Sequence, residues 1–258
     1  MKGIVNLPLV PLRKSDSESS EMTSQLLFGE LIEVLETHDH WLLLRNISDN
    51  YVGWADRKMI RILKKHDEQR LSSSESYCIS YPLIEGENRS TGEKLMFPGG
   101  SRLVDLDGID LKIDGKTFLF DSTLLPCANE ISGERLIELA KQYLNAPYLW
   151  GGKTIMGIDC TGLVQVVFSM CGMQLPRDTS QQVELGKVID FLHEVEPGDL
   201  AFFEDAEGNI IHVGILLNSH QIIHASGWVK IETIDSQGII SAQTGEHTHN
   251  LCVVKRLL

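Results

Sequence analysis

The sequence predicts an α+β fold in which two small all-β units precede a mixed domain. Three observations predict it. Up to about residue 125 the apolar residues come in short runs broken by turn-formers, with no sustained helical period. At residue 132 the spacing becomes helical. After the turn Glu196-Pro197-Gly198, strand-like apolar runs return and continue toward residue 258.

Taken in order, residues 26–63 give the runs LLFGELIEVLE, HWLLLRN and YVGWADRKMI, punctuated by Asp49-Asn50 and Gly53. Residues 64–76, KKHDEQRLSSSES, are polar and read as a linker or an exposed connection. Runs from about 77 to 125 (YCISYPLI, KLMF, SRLVDLDG, IDLKIDGKTFLF) carry hairpin signals at Asp107-Gly108 and Asp114-Gly115. Ser132 caps a helix with apolar positions Leu136, Ile137, Leu139, Ala140, Tyr143 and Leu144, stopped by Pro147. A second helix is expected from about Cys160 to Met170, with Gly172 at its end. The strands LAFFE, NIIHVGILL, QIIHAS and LCVVKRLL complete an antiparallel sheet. The expected division is 1–63, 64–126 and 127–258.

Composition narrows the function. With 42% hydrophobic residues the 258-residue chain has material for a sizeable core. A net charge of −13 argues against nucleic acid or an anionic membrane as partner. The stretch MKGIVNLPLVPLRKSDSESS has two prolines in its apolar part and no small-residue cleavage site, so no signal peptide is read and a cytoplasmic location is expected. The five cysteines, at 78, 127, 160, 171 and 252, form no C-x-x-C pair. A zinc ribbon or disulfide framework is therefore not expected, and the thiols read as reduced.

Cys160 stands apart because it opens a helix. Asp159 before it serves as the N-cap, and the unpaired N–H groups of a first helical turn favour an anion such as a thiolate. The Asp159 charge opposes this, so a base or imidazolium is needed nearby. His212 in IIHVGILL and His224 in QIIHAS supply one. A hairpin centred on Asn218 sets these two directly opposite, on one face of an otherwise apolar sheet. One histidine then activates the thiol and the other orients the first ring. Zinc on Cys160, His212 and His224 is the rival reading, against which no further ligand stands at metal spacing. His247-Thr248-His249 reads as a polar loop.

PYLWGG, then DCTG opening a helix, then HVGI, then IIHAS, resemble the NlpC family of bacterial cell-wall cysteine peptidases. The resemblance spans about 130–258, and the β units ahead of it, with SEMTSQLLFGE and DNYVGW, resemble bacterial SH3-like domains. It implies a papain-like peptidase domain behind two SH3-like barrels. It implies Cys160 as nucleophile, His212 as base, His224 as the orienting third residue and Tyr148 as an oxyanion donor. Thr161 stands where serine is commoner and keeps the hydroxyl. Asp159 and Asp178 are implied near the substrate amine, Trp150 as a wall of the site, and Glu21 with Tyr51 as residues from the first β unit, Glu30 being a rival for Glu21.

The activity implied is hydrolysis of the γ-D-glutamyl–diamino acid bond in free murein stem peptides with an unblocked L-Ala, without cofactor or metal. Two other readings stand beside it: an envelope hydrolase that holds the wall through its SH3-like units, and a non-catalytic wall-peptide binder.

Overall fold

The structure, a computed structural model, describes residues 1–73, 76–104, 106–107, 110–113, 116–120 and 131–258. The chain divides into two compact units, 1–128 and 129–258. Gly108, Asp114-Gly115 and Cys127 lie outside the described residues.

In the first unit a seven-stranded antiparallel sheet runs in the order Met22–Leu27, Leu9–Arg13, Val52–Asp56, Trp41–Asn46, Leu31–His38, Lys2–Val5, Ile60–Ile62. Its inward residues, Val5, Val10, Leu12, Leu26, Ile32, Leu42, Leu44, Ala55 and Ile60, form one core. Asp49 makes the expected turn by accepting the Tyr51 N–H at 2.9 Å. Gly53, read as a turn-former, instead lies within a strand. A Cβ there would stand 3.0 Å from Leu12 Cβ, so the glycine permits close strand approach.

The same unit holds a five-stranded sheet, in the order Lys94–Pro98, Leu83–Asn88, Lys116–Phe120, Asp110–Ile113, Leu106–Asp107, and the pair Ser76–Cys78 with Arg102–Val104. Phe97, Phe118 and Phe120 pack with Ile4 of the first sheet and with Phe28 in the turn after Met22–Leu27, so the two sheets share a core. Phe28 and Phe97 meet edge-to-face with centroids 4.8 Å apart. The polar 64–76 segment is corrected: Lys65–Ser73 is a helix. Asp67 and Glu68 lie in its first turn and Arg70 in its last, which suits the helix dipole, and Leu71 is buried in the shared core.

In the second unit Ser132 accepts the Arg135 N–H at the start of helix Gly133–Lys141. That helix ends earlier than Pro147; Gln142 to Leu144 continue as turns. Helix Cys160–Met170 has the expected bounds, and all its residues are buried. The sheet order is Lys187–Ile189, His247–Arg256, Leu200–Glu204, Ile210–Asn218, Gln221–Ser226, Trp228–Ile234, Gly238–Ile240. Strand His247–Arg256 also pairs with Gly238–Ile240, which closes the sheet on itself.

The histidine hairpin differs from expectation by its register. Gly214, not His212, lies opposite His224. A bulge between Leu216 and Asn218 adds one residue to the first strand, and the turn narrows to Ser219-His220. His212 is two residues from Gly214, so it keeps the same face and meets His224 diagonally.

Candidate active site

The helix start that carries Cys160 is built from glycines and one buried ion pair. Asp159 Oδ1 accepts the Gly162 N–H at 2.7 Å and the Thr161 hydroxyl at 3.0 Å. Its Oδ2 accepts the Gly151 N–H at 2.8 Å and Arg177 Nη2 at 2.5 Å. Arg177 also donates to Thr161 Oγ1. The Arg177 and Asp159 side chains are 3% and 6% exposed. Gly162 sits so close to the preceding turn that a Cβ would stand 2.2 Å from the Gly152 carbonyl oxygen. The last glycine of DCTG is thus a packing requirement of the helix start.

These contacts revise the reading of Asp159. It is the expected N-cap, and in the protein alone four donors occupy its buried carboxylate. Thr161 keeps its hydroxyl in that network. Arg177, which sequence reasoning missed, is the counter-charge; its signal was an arginine in LPRDTS beside the singled-out Asp178. Asp178 itself is exposed and precedes the short helix Thr179–Gln182.

The Val213 and Thr161 N–H groups lie near enough to Cys160 to favour its thiolate, which sets its sulfur near the backbone next to His212. Burial, then the Asp159 carboxylate, pushes the thiol up to about 12, against the lowering effect of those N–H groups and Arg177. The expected helix-start lowering is therefore outweighed in the resting protein. Burial also holds His212 well below the usual imidazole range, helped by His224, His249 and Lys230. Both shifts favour a neutral thiol and a neutral imidazole at rest.

His212 Nε2 lies 2.9 Å from His224 Nδ1, and His224 Nε2 lies 2.9 Å from Glu232 Oε2. His224 and Glu232 are both buried. Burial raises the Glu232 carboxyl, but hydrogen bonds from His224 and the Ala242 N–H, with Lys230 nearby, outweigh it and bring it to about 2. Sequence reasoning missed Glu232; its trace was a charged residue at an inward position of VKIETI. It also misread His249. That residue lies in strand His247–Arg256, and its ring lies 4.4 Å from that of His212 at an interplanar angle of 31°. Burial brings His249 down to about 4, with His224 adding to the effect.

Tyr148 donates its N–H to Gly227 O, and Pro147 bridges to Trp228. Burial, then the Cys160 and Asp159 charges, raises the Tyr148 hydroxyl to about 12, so it stays a proton donor. Trp150 is 59% exposed, which removes it from the core and leaves it at the surface beside Tyr148. In the first unit, Glu21 is exposed and paired with Lys14 at 3.3 Å. Tyr51 packs on the first core. Glu30 is buried and accepts the Leu27 N–H at 2.8 Å, a turn-forming contact.

Residues 145–248 match the NlpC/P60 family, and residues 12–60 match the bacterial dipeptidyl-peptidase Sh3 domain. A probable endopeptidase NlpC homolog from Haemophilus influenzae is 32% identical over 127 residues, 48% of this chain and 67% of that protein. The chain belongs to the NlpC/P60 family. Its NlpC/P60 domain has the papain-like fold of these peptidoglycan endopeptidases, behind a part that includes an SH3-like domain, and the family assignment makes it a cysteine peptidase. A γ-D-glutamyl-L-lysine dipeptidyl-peptidase from Bacillus subtilis is 28% identical over 250 residues, 90% of this chain and 80% of that protein. The crystal structure of an NlpC/P60 family protein from Bacillus cereus matches the fold over 100% of both chains, with TM-score 0.85 at 18% identity.

Proposed function

We propose that this NlpC/P60 protein hydrolyses the γ-D-glutamyl–diamino acid bond of free murein stem peptides that carry an unblocked L-Ala, in the cytoplasm, as part of wall-peptide recycling. The observation that carries the reading is the set Cys160, His212, His224: a buried thiol at a helix start, near the strand residue that follows His212, and two histidines linked at 2.9 Å. The names of its Bacillus relatives, γ-D-glutamyl-L-lysine dipeptidyl-peptidases, support the choice of bond. We read the second sheet system of the first unit as a second SH3-like barrel, with boundaries near residues 63 and 126.

In this reading Cys160 is the nucleophile. Its proton passes to His212 as the sulfur attacks the γ-carbonyl, because neither group is ionised at rest. N–H groups at the helix start and the Tyr148 hydroxyl stabilise the oxyanion of the tetrahedral intermediate. The His212 imidazolium then protonates the leaving amine. Collapse gives a γ-glutamyl thioester, and neutral His212 activates the water that hydrolyses it. His224 orients the His212 ring. Asp178, exposed beside Arg177, meets the substrate amine, while Asp159 acts indirectly by holding Arg177 and Thr161.

Mass spectrometry of L-Ala-γ-D-Glu-L-Lys and L-Ala-γ-D-Glu-diaminopimelate, each free and N-acetylated, tests this. Release of L-Ala-D-Glu from the free peptides by wild type and not by Cys160→Ala is the expected result. Equal cleavage of the acetylated peptides would remove the free-amine requirement. Cleavage by Cys160→Ala would remove the nucleophile.

A further inference from the structure

Beyond the cysteine and two histidines, one more buried polar side chain belongs to the same line. His212, His224 and Glu232 sit on three consecutive strands of the closed sheet. Gly214 lies opposite His224, and His224 lies opposite Lys230. His212 and Glu232 are each two residues from those partners, so all three side chains project from one face along a diagonal. Both links are 2.9 Å, and the three residues are 6%, 0% and 4% exposed.

With His224 neutral, the protons on this line have one consistent arrangement. Glu232 has three partners: hydrogen bonds with His224 Nε2 and the Ala242 N–H at 3.0 Å, and an ion pair with Lys230 Nζ at 3.3 Å. Two of these are obligate donors, and the carboxylate is held ionised, so Glu232 acts as an acceptor. His224 must then carry its proton on Nε2, which leaves Nδ1 with a lone pair. That lone pair needs a donor, and the atom 2.9 Å away is His212 Nε2. A neutral His212 with its proton on Nε2 has a bare Nδ1.

We propose that Glu232 is a positioning residue that sets the tautomers of both histidines in series, leaving His212 Nδ1 as the unprotonated base. The inference rests on the reading of Cys160 and His212 as nucleophile and base. No proton leaves His212 toward His224. The Nε2–H bond stays in place throughout, while Nδ1 takes the thiol proton and later gives it to the leaving amine. A ring with the opposite tautomer would present N–H to the thiol and could not accept from it.

The test begins with wild-type protein. Long-range proton–nitrogen NMR correlations of the imidazoles, assigned with His212→Gln and His224→Gln, are expected to show Nε2–H and bare Nδ1 on both rings near neutral pH. A protonated Nδ1 on neutral His212 overturns the proposal without any Glu232 variant. Glu232→Met removes the acceptor and leaves the Lys230 ammonium facing His224 Nε2. Both tautomers are then expected to invert and kcat to fall about 100-fold with KM nearly unchanged, less than the ~10⁴-fold cost of a wrong tautomer held directly on a catalytic histidine.

Glu232→Gln keeps one carbonyl oxygen that can accept from His224, at the cost of an NH2 facing the Ala242 N–H, donor against donor. It is expected to retain the tautomers and lose less than about tenfold in kcat. A folded Glu232→Met protein with wild-type tautomers, or with kcat within about threefold of wild type, overturns the proposal. If that variant does not fold, the wild-type spectrum decides. If wild type cleaves no γ-D-glutamyl peptide, the substrate reading fails alone. The tautomers, and the rate at which iodoacetamide alkylates Cys160, expected to drop in Glu232→Met, still decide the role of Glu232.

Discussion

Replacing Arg177 by Met tests how the helix start is held. The substitution keeps the stem packing and removes a guanidinium 2.5 Å from Asp159, in a pair whose side chains are 3% and 6% exposed. Breaking such a buried pair costs about 3–5 kcal/mol when the remaining charge is left alone. Here Asp159 retains the Gly151 and Gly162 N–H groups and the Thr161 hydroxyl, so the lower end applies, about 3 kcal/mol. For a unit of this size that is a fall in Tm of roughly 10 °C. Asp159→Asn removes the charge from the other side. The double variant should then be less destabilised than the two singles together, with a coupling of about 2 kcal/mol. Urea and thermal unfolding of the four proteins measure it. A loss below about 1 kcal/mol in Arg177→Met, or additivity within about 0.5 kcal/mol, would refute the ion pair as the anchor of the helix start.

Other outcomes follow from the same geometry. With the thiol near 12 and His212 held low, the iodoacetamide rate of Cys160 should keep rising with pH, without a plateau between about pH 6 and 9. A plateau with a midpoint below neutrality would show a preformed ion pair instead. Gly162→Ala puts a methyl 2.2 Å from the Gly152 carbonyl oxygen and should cost about 3 kcal/mol in urea unfolding; a wild-type midpoint would count against the close approach. Stability should also fall with acid. Unfolded His249 takes a proton near 6.5 and the folded residue near 4, so protonation favours the unfolded chain as pH drops through that window, by roughly 1–2 kcal/mol after allowance for partial exposure. His249→Phe should flatten that part of the Tm profile. Glu232 extends the loss from about 4.5 down to about 2, and Glu232→Gln should remove that lower part.

Much of the site was legible because its signals are local. Asp159 as a cap, Cys160–Met170 as a helix and Gly162 beside the nucleophile all follow from a few consecutive residues. The readings that failed depend on distant partners. The histidine hairpin was centred one residue early because a bulge at Leu217 leaves no mark in an apolar run. His249 read as loop because its strand is defined by pairing with Leu200–Glu204 and Gly238–Ile240, far away in sequence. Arg177 and Glu232 are single charges whose buried partners, Asp159 and His224, lie 18 and 8 residues away. The helix Lys65–Ser73 was hidden by its polarity; one buried leucine holds it, too little for a periodic signal.

The closed sheet of the second unit has a consequence for how a substrate is read. Among the described residues, its terminal strand is Lys187–Ile189, three residues long, so it offers almost no free ladder of N–H and C=O groups. Many peptide-binding proteins measure a ligand by adding it as another strand, which rewards any extended α-linked chain of sufficient length. At that strand the route has little to offer. A γ-linkage spaces its amides differently from a strand and would gain little from it in any case. Selection by such a surface falls on the ends and branches of a ligand, the way a key is read by its teeth rather than its length.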